Sequence, residues 1–128
     1  YSSATGVVRC MKKLLEENPD TPCVLRDTDF AAKDVFDAAR SGDALAAREV
    51  DDMTDMLGLA LATIAATADP EVFLVGGGVS RAGDVLFQPL AEHYKTYAFK
   101  SCRETPIKQA SLGNDAGIYG AVRLIVGA

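Results

Sequence analysis

Val72-Phe73-Leu74-Val75-Gly76-Gly77-Gly78-Val79-Ser80 is the stretch on which the reading of this chain depends. Four apolar residues, two of them β-branched, predict a short buried strand over 72–75. Three consecutive glycines then break the strand. Without side chains the backbone can turn sharply there and can approach a ligand closely. The segment that follows opens with unpaired amide groups, which suit polar or anionic partners, and the missing bulk leaves room for a flat ring such as adenine. A tight strand-to-helix turn with no ligand explains a bare glycine triplet equally well. Two nucleotide motifs fail here. A dinucleotide fingerprint needs a third glycine where Arg81 stands, and no Gly-Lys-Ser/Thr tripeptide of a Walker loop occurs anywhere in the chain.

Outward from the triplet, helical spacing dominates. Val7, Val8, Met11, Leu14 and Leu15 predict a helix over 4–17, capped by Ser3 or Ser2 and stopped by Asn18-Pro19. Residues 18–29 are turn-rich, with a short extended stretch expected at Cys23-Val24-Leu25. A second helix is predicted over 31–40, and Ser41-Gly42-Asp43 forms a corner. The longest helix runs over about 44–68, with Val50, Met53, Leu57, Leu61 and Ile64 at intervals of three or four. Its second half is apolar nearly all round and is expected to pack on several sides. Asp69-Pro70 ends it. An amphipathic segment over 84–97 contains Pro89, which predicts a kink or two short helices. Pro106–Ala110 reads as a second strand at a sheet edge, 111–115 as a loop with capping residues, and 116–126 as a final helix. Two strands make a poor sheet on their own, so the pattern reads as part of a larger α/β protein with a single, incomplete domain over 1–128.

The composition excludes several classes. The 128 residues are 48% apolar and 24% charged, with a net charge of −5. No basic stripe is present for neutralising phosphates, which argues against a nucleic-acid partner. No apolar run reaches the roughly 18 residues of a membrane helix, and Tyr1–Thr5 lacks the features of a signal peptide. Cys10, Cys23 and Cys102 are odd in number and without CxxC spacing, and His93 is the only histidine. Free thiols in a reducing cytoplasm are expected, and no metal site within the chain.

Four segments, in order, resemble the ROK family of bacterial sugar kinases. Asp69–Gly83 is similar to that family's adenosine-side segment, and Ala110–Ala121 resembles its C-terminal signature. Ser41–Ala46 is similar to the corner that opens the family's long core helix. Ser3–Val8 is similar to the stretch that follows its cysteine-rich zinc motif. The resemblance implies an α/β fold of the actin-like (ribonuclease H-like) ATPase type, of which this chain is the C-terminal portion, predominantly helical with about two strands. It implies an ATP- and Mg2+-dependent, cytoplasmic, homodimeric hexose kinase, glucokinase-like, that converts glucose to glucose 6-phosphate. Gly76, Gly77, Gly78, Val79 and Ser80 are carried over as nucleotide contacts. The family's phosphate loop, catalytic aspartate, Glu-x-Gly-His sugar motif and structural zinc ligands match nothing in this chain and are expected upstream. No catalytic residue is therefore assigned here, and the 128 residues alone are expected to be inactive. The alternative is the sugar-responsive repressor branch of the same family, which adds an upstream helix-turn-helix.

The remaining candidates have simpler readings. Asp115 reads as a helix N-cap rather than a catalytic carboxylate. His93 reads as a surface or half-buried residue, and Glu16-Glu17 and Asp51-Asp52 as solvated helix faces. Asp27 and Asp29 lack a third metal ligand. Thr5-Gly6, at a helix start, could face a phosphate.

Overall fold

The computed structural model describes residues 3–112 and 115–127. Among them are five α-helices and two strands: α1 (Ala4–Glu17), α2 (Ala32–Arg40), α3 (Ala44–Ala68), β1 (Phe73–Val75), α4 (Asp84–Tyr97), β2 (Ile107–Gln109) and α5 (Ala116–Val126), with a 3₁₀ segment, Gly78–Ala82, between β1 and α4.

Helix α1 starts where Ser3 Oγ accepts a hydrogen bond from the Gly6 amide at 3.1 Å, a cap worth about 1 kcal/mol. It ends where the side-chain amide of Asn18 donates to the Leu14 carbonyl at 2.8 Å, one residue before Pro19. The guanidinium of Arg26 then donates to the carbonyls of Leu15 (3.2 Å), Asn18 (2.7 Å) and Thr21 (2.8 Å). This clamp, with the Val24 amide donating to Asp43 Oδ2 at 2.8 Å, folds residues 24–27 into turns. The extended stretch expected at Cys23–Leu25 is thus corrected: long-range hydrogen bonds outweigh the local β-propensity.

Asp43 opens α3 by accepting from the amides of Leu45 (3.1 Å) and Ala46 (3.0 Å). The corner before it needs Gly42, whose φ is +91°. Helices α1, α2 and the first half of α3 enclose one core around Val7, Met11, Val35, Phe36, Ala46 and Met53, with Leu86 of α4 reaching into it. A second core joins the end of α3 (Leu61, Ala62, Ala65) to Leu90 and Tyr94 of α4 and to Phe73 of β1. Phe73 and Tyr94 meet edge to face at 5.8 Å, and Tyr94 OH donates to the Cys102 carbonyl at 2.6 Å. Gly58 lets α3 and α4 approach: a Cβ there would lie 2.8 Å from the Tyr94 amide nitrogen.

The two strands run parallel, Phe73 opposite Ile107 and Val75 opposite Gln109, with α4 in the crossover, as a parallel connection requires. Several expectations change. The strand is not buried throughout: Phe73 is enclosed but Leu74 is 66% exposed, because helices cover one face only. Of the two outcomes expected at Pro89, two short helices are not found: α4 is one helix through it. Proline removes the amide that would have bonded the Val85 carbonyl, yet Leu86, Leu90 and Tyr94 are all fully buried, and their packing holds the helix together. The second half of α3 is packed on one side, and Met56, Leu59 and Ile64 face solvent. So do Ile118, Leu124, Ile125 and Val126 of α5. No helix is long and apolar enough to cross a membrane among the described residues.

Candidate functional site

A cleft of about 500 Å³ lies between α2 and the segment that follows the glycines, within the range of small-molecule sites. One wall is Ala32, Lys33, Phe36, Asp37 and Arg40. The other is Gly78, Val79, Arg81 and Ala82. Phe36, 3% exposed, is rooted in the first core, and Val79 packs against that core from the opposite wall. The cleft thus has a rigid apolar base. Gly78 contributes no side chain, and a Cβ at that position would meet no protein atom within 4 Å. Open space therefore lies beside the backbone at that border of the cleft.

The turn itself is held by backbone geometry. Gly77 sits at φ +82°, ψ −177°, a region essentially closed to other residues. Ser80 is fully buried, and its hydroxyl donates to the Gly77 carbonyl at 2.8 Å. Of the five expected contacts, the cleft is lined by Gly78 and Val79. Gly76 and Gly77 shape the turn, and Ser80 locks it from inside.

The α2 wall was not anticipated. Its signal was present: Lys33, Asp37 and Arg40 recur at i, i+4 and i+7, one polar stripe beside Phe36. Arg40 pairs with Asp37 at 2.6 Å and donates through Nη2 to the Ala82 carbonyl at 3.0 Å. That pairing leaves Lys33 and Arg81 as the cleft's unbalanced charges, which favours an anionic ligand.

Elsewhere, Cys10, Cys23 and Cys102 are free thiols. Asp115 takes the N-cap position of α5, but its side chain makes no cap hydrogen bond. Within the loop of capping residues over 111–115, Gly113 and Asn114 lie outside the described residues. The Gly6 amide is already bonded to Ser3, so it is not free for a phosphate. His93 is half-buried and bridges two helices, with Nε2 at 2.8 Å from Asp51 Oδ1 and Nδ1 at 3.1 Å from Asp55 Oδ1. Asp51 is therefore engaged rather than merely solvated. Among the described residues no group of three or more His, Cys, Asp and Glu is placed to hold a metal ion. The described side chains do not fit the magnesium or zinc that the resemblance implies.

Comparison with known proteins bears on this geometry. The ROK family model matches residues 1–127. A glucokinase of Halalkalibacterium halodurans is 39% identical over 129 residues, covering 97% of this chain and 39% of that protein. The structure of a ROK family glucokinase from Streptomyces griseus in complex with glucose and AMPPNP superposes with a TM-score of 0.80 at 28% identity, over 92% of this chain and 40% of that one. A ROK family transcriptional regulator, a homolog of the E. coli MLC protein, superposes with a TM-score of 0.71 at 19% identity, over 84% of this chain and 27% of that one. The last likeness speaks for the fold alone. The chain spans about two-fifths of the length of the glucokinases it matches.

Proposed function

The chain belongs to the ROK family, with part of that family's actin-like ATPase fold, and from this premise we propose that the full-length protein is an ATP-dependent hexose kinase in which these residues form the nucleotide side of the active cleft. The observation that carries the reading is the cleft itself. A glycine-bordered slot with an apolar base and two unbalanced cations, Lys33 and Arg81, suits a flat base with phosphates attached. Similarity to glucokinases supports glucose as the hexose.

In this reading the chain binds and orients ATP. Gly78 and Val79 contact the adenosine, while Gly77 and Ser80 keep the turn in shape. Magnesium, the sugar contacts and the carboxylate that takes the hydroxyl proton come from residues outside this chain. Transfer of the γ-phosphoryl group rests mainly on positioning and charge neutralisation, and positioning of the nucleotide is this chain's share. The reading includes a cytoplasmic homodimer.

The fold is shared with a transcriptional regulator, so a repressor lobe is the second reading. The open, side-chain-free border at Gly78 favours the kinase, since a repressor has no need of room for a nucleotide there.

The test is steady-state kinetics of the full-length gene product with Gly78→Leu. Gly78 is preferable to Gly77, whose backbone conformation would confound the result. A Cβ there meets no protein atom within 4 Å, and the rest of the leucine side chain is expected to occupy the cleft that Gly78 borders. The KM for ATP should rise about tenfold, the loss of roughly 1.4 kcal/mol of binding, with the KM for glucose unchanged. An unchanged KM for ATP removes this cleft from the active site, and a wild-type protein without hexose-dependent ATP turnover removes the kinase reading.

A further inference from the structure

We infer that Arg40 is the positioning residue that sets the width of the nucleotide cleft, by tying its two walls together; this rests on the kinase reading above. Arg40 lies in the last turn of α2. Its Nη1 meets Asp37 Oδ1 at 2.6 Å on the same helix, and its Nη2 donates to the carbonyl of Ala82 at 3.0 Å. Ala82 is the final residue of the 3₁₀ segment that starts at Gly78. A single planar group therefore bridges the two walls across 42 residues of sequence.

Three features make the bridge a spacer rather than an incidental surface contact. First, the guanidinium is a rigid fork with a fixed separation between its nitrogens, and both of its acceptors line the cleft. Second, Asp37 holds the fork in orientation, so the bond to Ala82 does not depend on a freely rotating side chain. Third, the tie meets the far wall at its end. The 3₁₀ segment is bounded by Gly77 and Gly83, both at positive φ; Val79 and Ala82 seat its inner side on the first core, and the Arg40 bond fixes its last residue against α2. Ser80 anchors it to its own turn, whereas Arg40 anchors it to α2. A slot that accepts a planar ring depends on the spacing of its walls, and misplacement by about 1 Å can cost a large factor in rate.

Lysine at this position offers a point charge in place of a fork and reaches one acceptor at a time. Arg40→Lys is therefore expected to be intermediate, and Arg40→Met to lose the spacing altogether. The experiment uses the full-length protein and measures AMPPNP binding together with the KM values for ATP and hexose. Tyr97→Phe serves as the control. It removes the bond from Tyr97 OH to Asp55 at 2.7 Å, which lies away from the cleft. Arg40→Met should weaken AMPPNP binding and raise the KM for ATP by about tenfold, with the KM for hexose within about twofold. Arg40→Lys should fall between this and wild type, and Tyr97→Phe should leave nucleotide binding unchanged. Undiminished AMPPNP binding in Arg40→Met overturns this inference and leaves the kinase reading standing. So does a loss that Tyr97→Phe reproduces equally, since general destabilisation would then explain it. Absence of AMPPNP binding by the wild type overturns both.

Discussion

Gly58→Ala adds one methyl group where two helices have no room for it. The Cβ would lie 2.8 Å from the Tyr94 amide nitrogen, 2.9 Å from His93 Cβ and 3.0 Å from the His93 carbonyl carbon. Ordinary contact begins near 3.4 Å, so α3 and α4 must separate by roughly 0.6 Å at the crossing. Two of the three obstacles are backbone atoms, so no rotamer change relieves them. Overpacking of this kind costs about 1–3 kcal/mol, and the upper half applies when backbone must move. Alanine returns about 1 kcal/mol through helix propensity. The net loss is about 1–2 kcal/mol, which for a chain of this size lowers the melting temperature by about 4–8 °C. The same separation strains the contacts of His93 with Asp51 and Asp55. Thermal melting followed by circular dichroism, with urea unfolding alongside, reads the effect. Gly120→Ala in α5 is the matched control. A Cβ there meets nothing within 4 Å, so only the propensity gain remains and the variant should be neutral or slightly stabilised. If Gly58→Ala melts at or above wild type, the close approach of α3 and α4 is not what Gly58 provides.

Glu49 and Asp43 make opposite predictions in pH. Burial, with Asp52 nearby, pushes the Glu49 carboxyl up to about 7 from 4.5. Between those values the folded chain binds more protons than the unfolded one, so this group makes stability fall as pH rises from 4.5 to 7. Glu49→Gln should therefore match wild type near pH 5 and exceed it by about 1–2 kcal/mol at pH 8, a figure already reduced for solvent screening. Urea midpoints with parallel pH dependence in the two proteins would exclude this. For Asp43, burial pushes the carboxyl up, but hydrogen bonds from the amides of Ala46, Val24 and Leu45 and from the Cys23 thiol outweigh it and hold the group below its usual 3.8. Its contribution is full above 3.8 and is lost as pH falls through the lower folded value. Asp43→Ala leaves three amides without their acceptor and should cost about 2 kcal/mol at neutral pH, with the gap to wild type closing in acid. A constant gap across the acid range would show that the caps do not depend on the charge.

Local signals made most of the fold legible before any tertiary contact was known. Ser3, Asp43 and Asp69-Pro70 mark helix ends because caps and proline act within one turn of chain. The apolar intervals of α1 and α3 reflect the 3.6-residue period itself. The departures arose where distant groups decide the outcome. The turn at residues 24–27 depends on Arg26 reaching back to α1, and that Pro89 does not split α4 into two helices accords with Leu86, Leu90 and Tyr94 being enclosed. The site was half legible. Gly76-Gly77-Gly78 announced a turn that could face a ligand, but the opposite wall lies some 40 residues earlier, and its polar stripe on α2 looks like any solvated helix face until the two are brought together.

By itself, the sequence determined the family, the order and ends of the helices, and the absence of side chains at the glycine border, since each depends on neighbours along the chain or on residue identity alone. Only the tertiary structure decided that Gly78 and Val79 line the cleft while Ser80 turns inward to Gly77, and that Arg40 of α2 joins the two walls. Phe36 and Val79 pack on one core, which sets α2 beside the glycine turn; the side-chain bond of Arg40 then forms between residues that the sequence alone does not bring together, while Ser80, fully buried, bonds within its own turn.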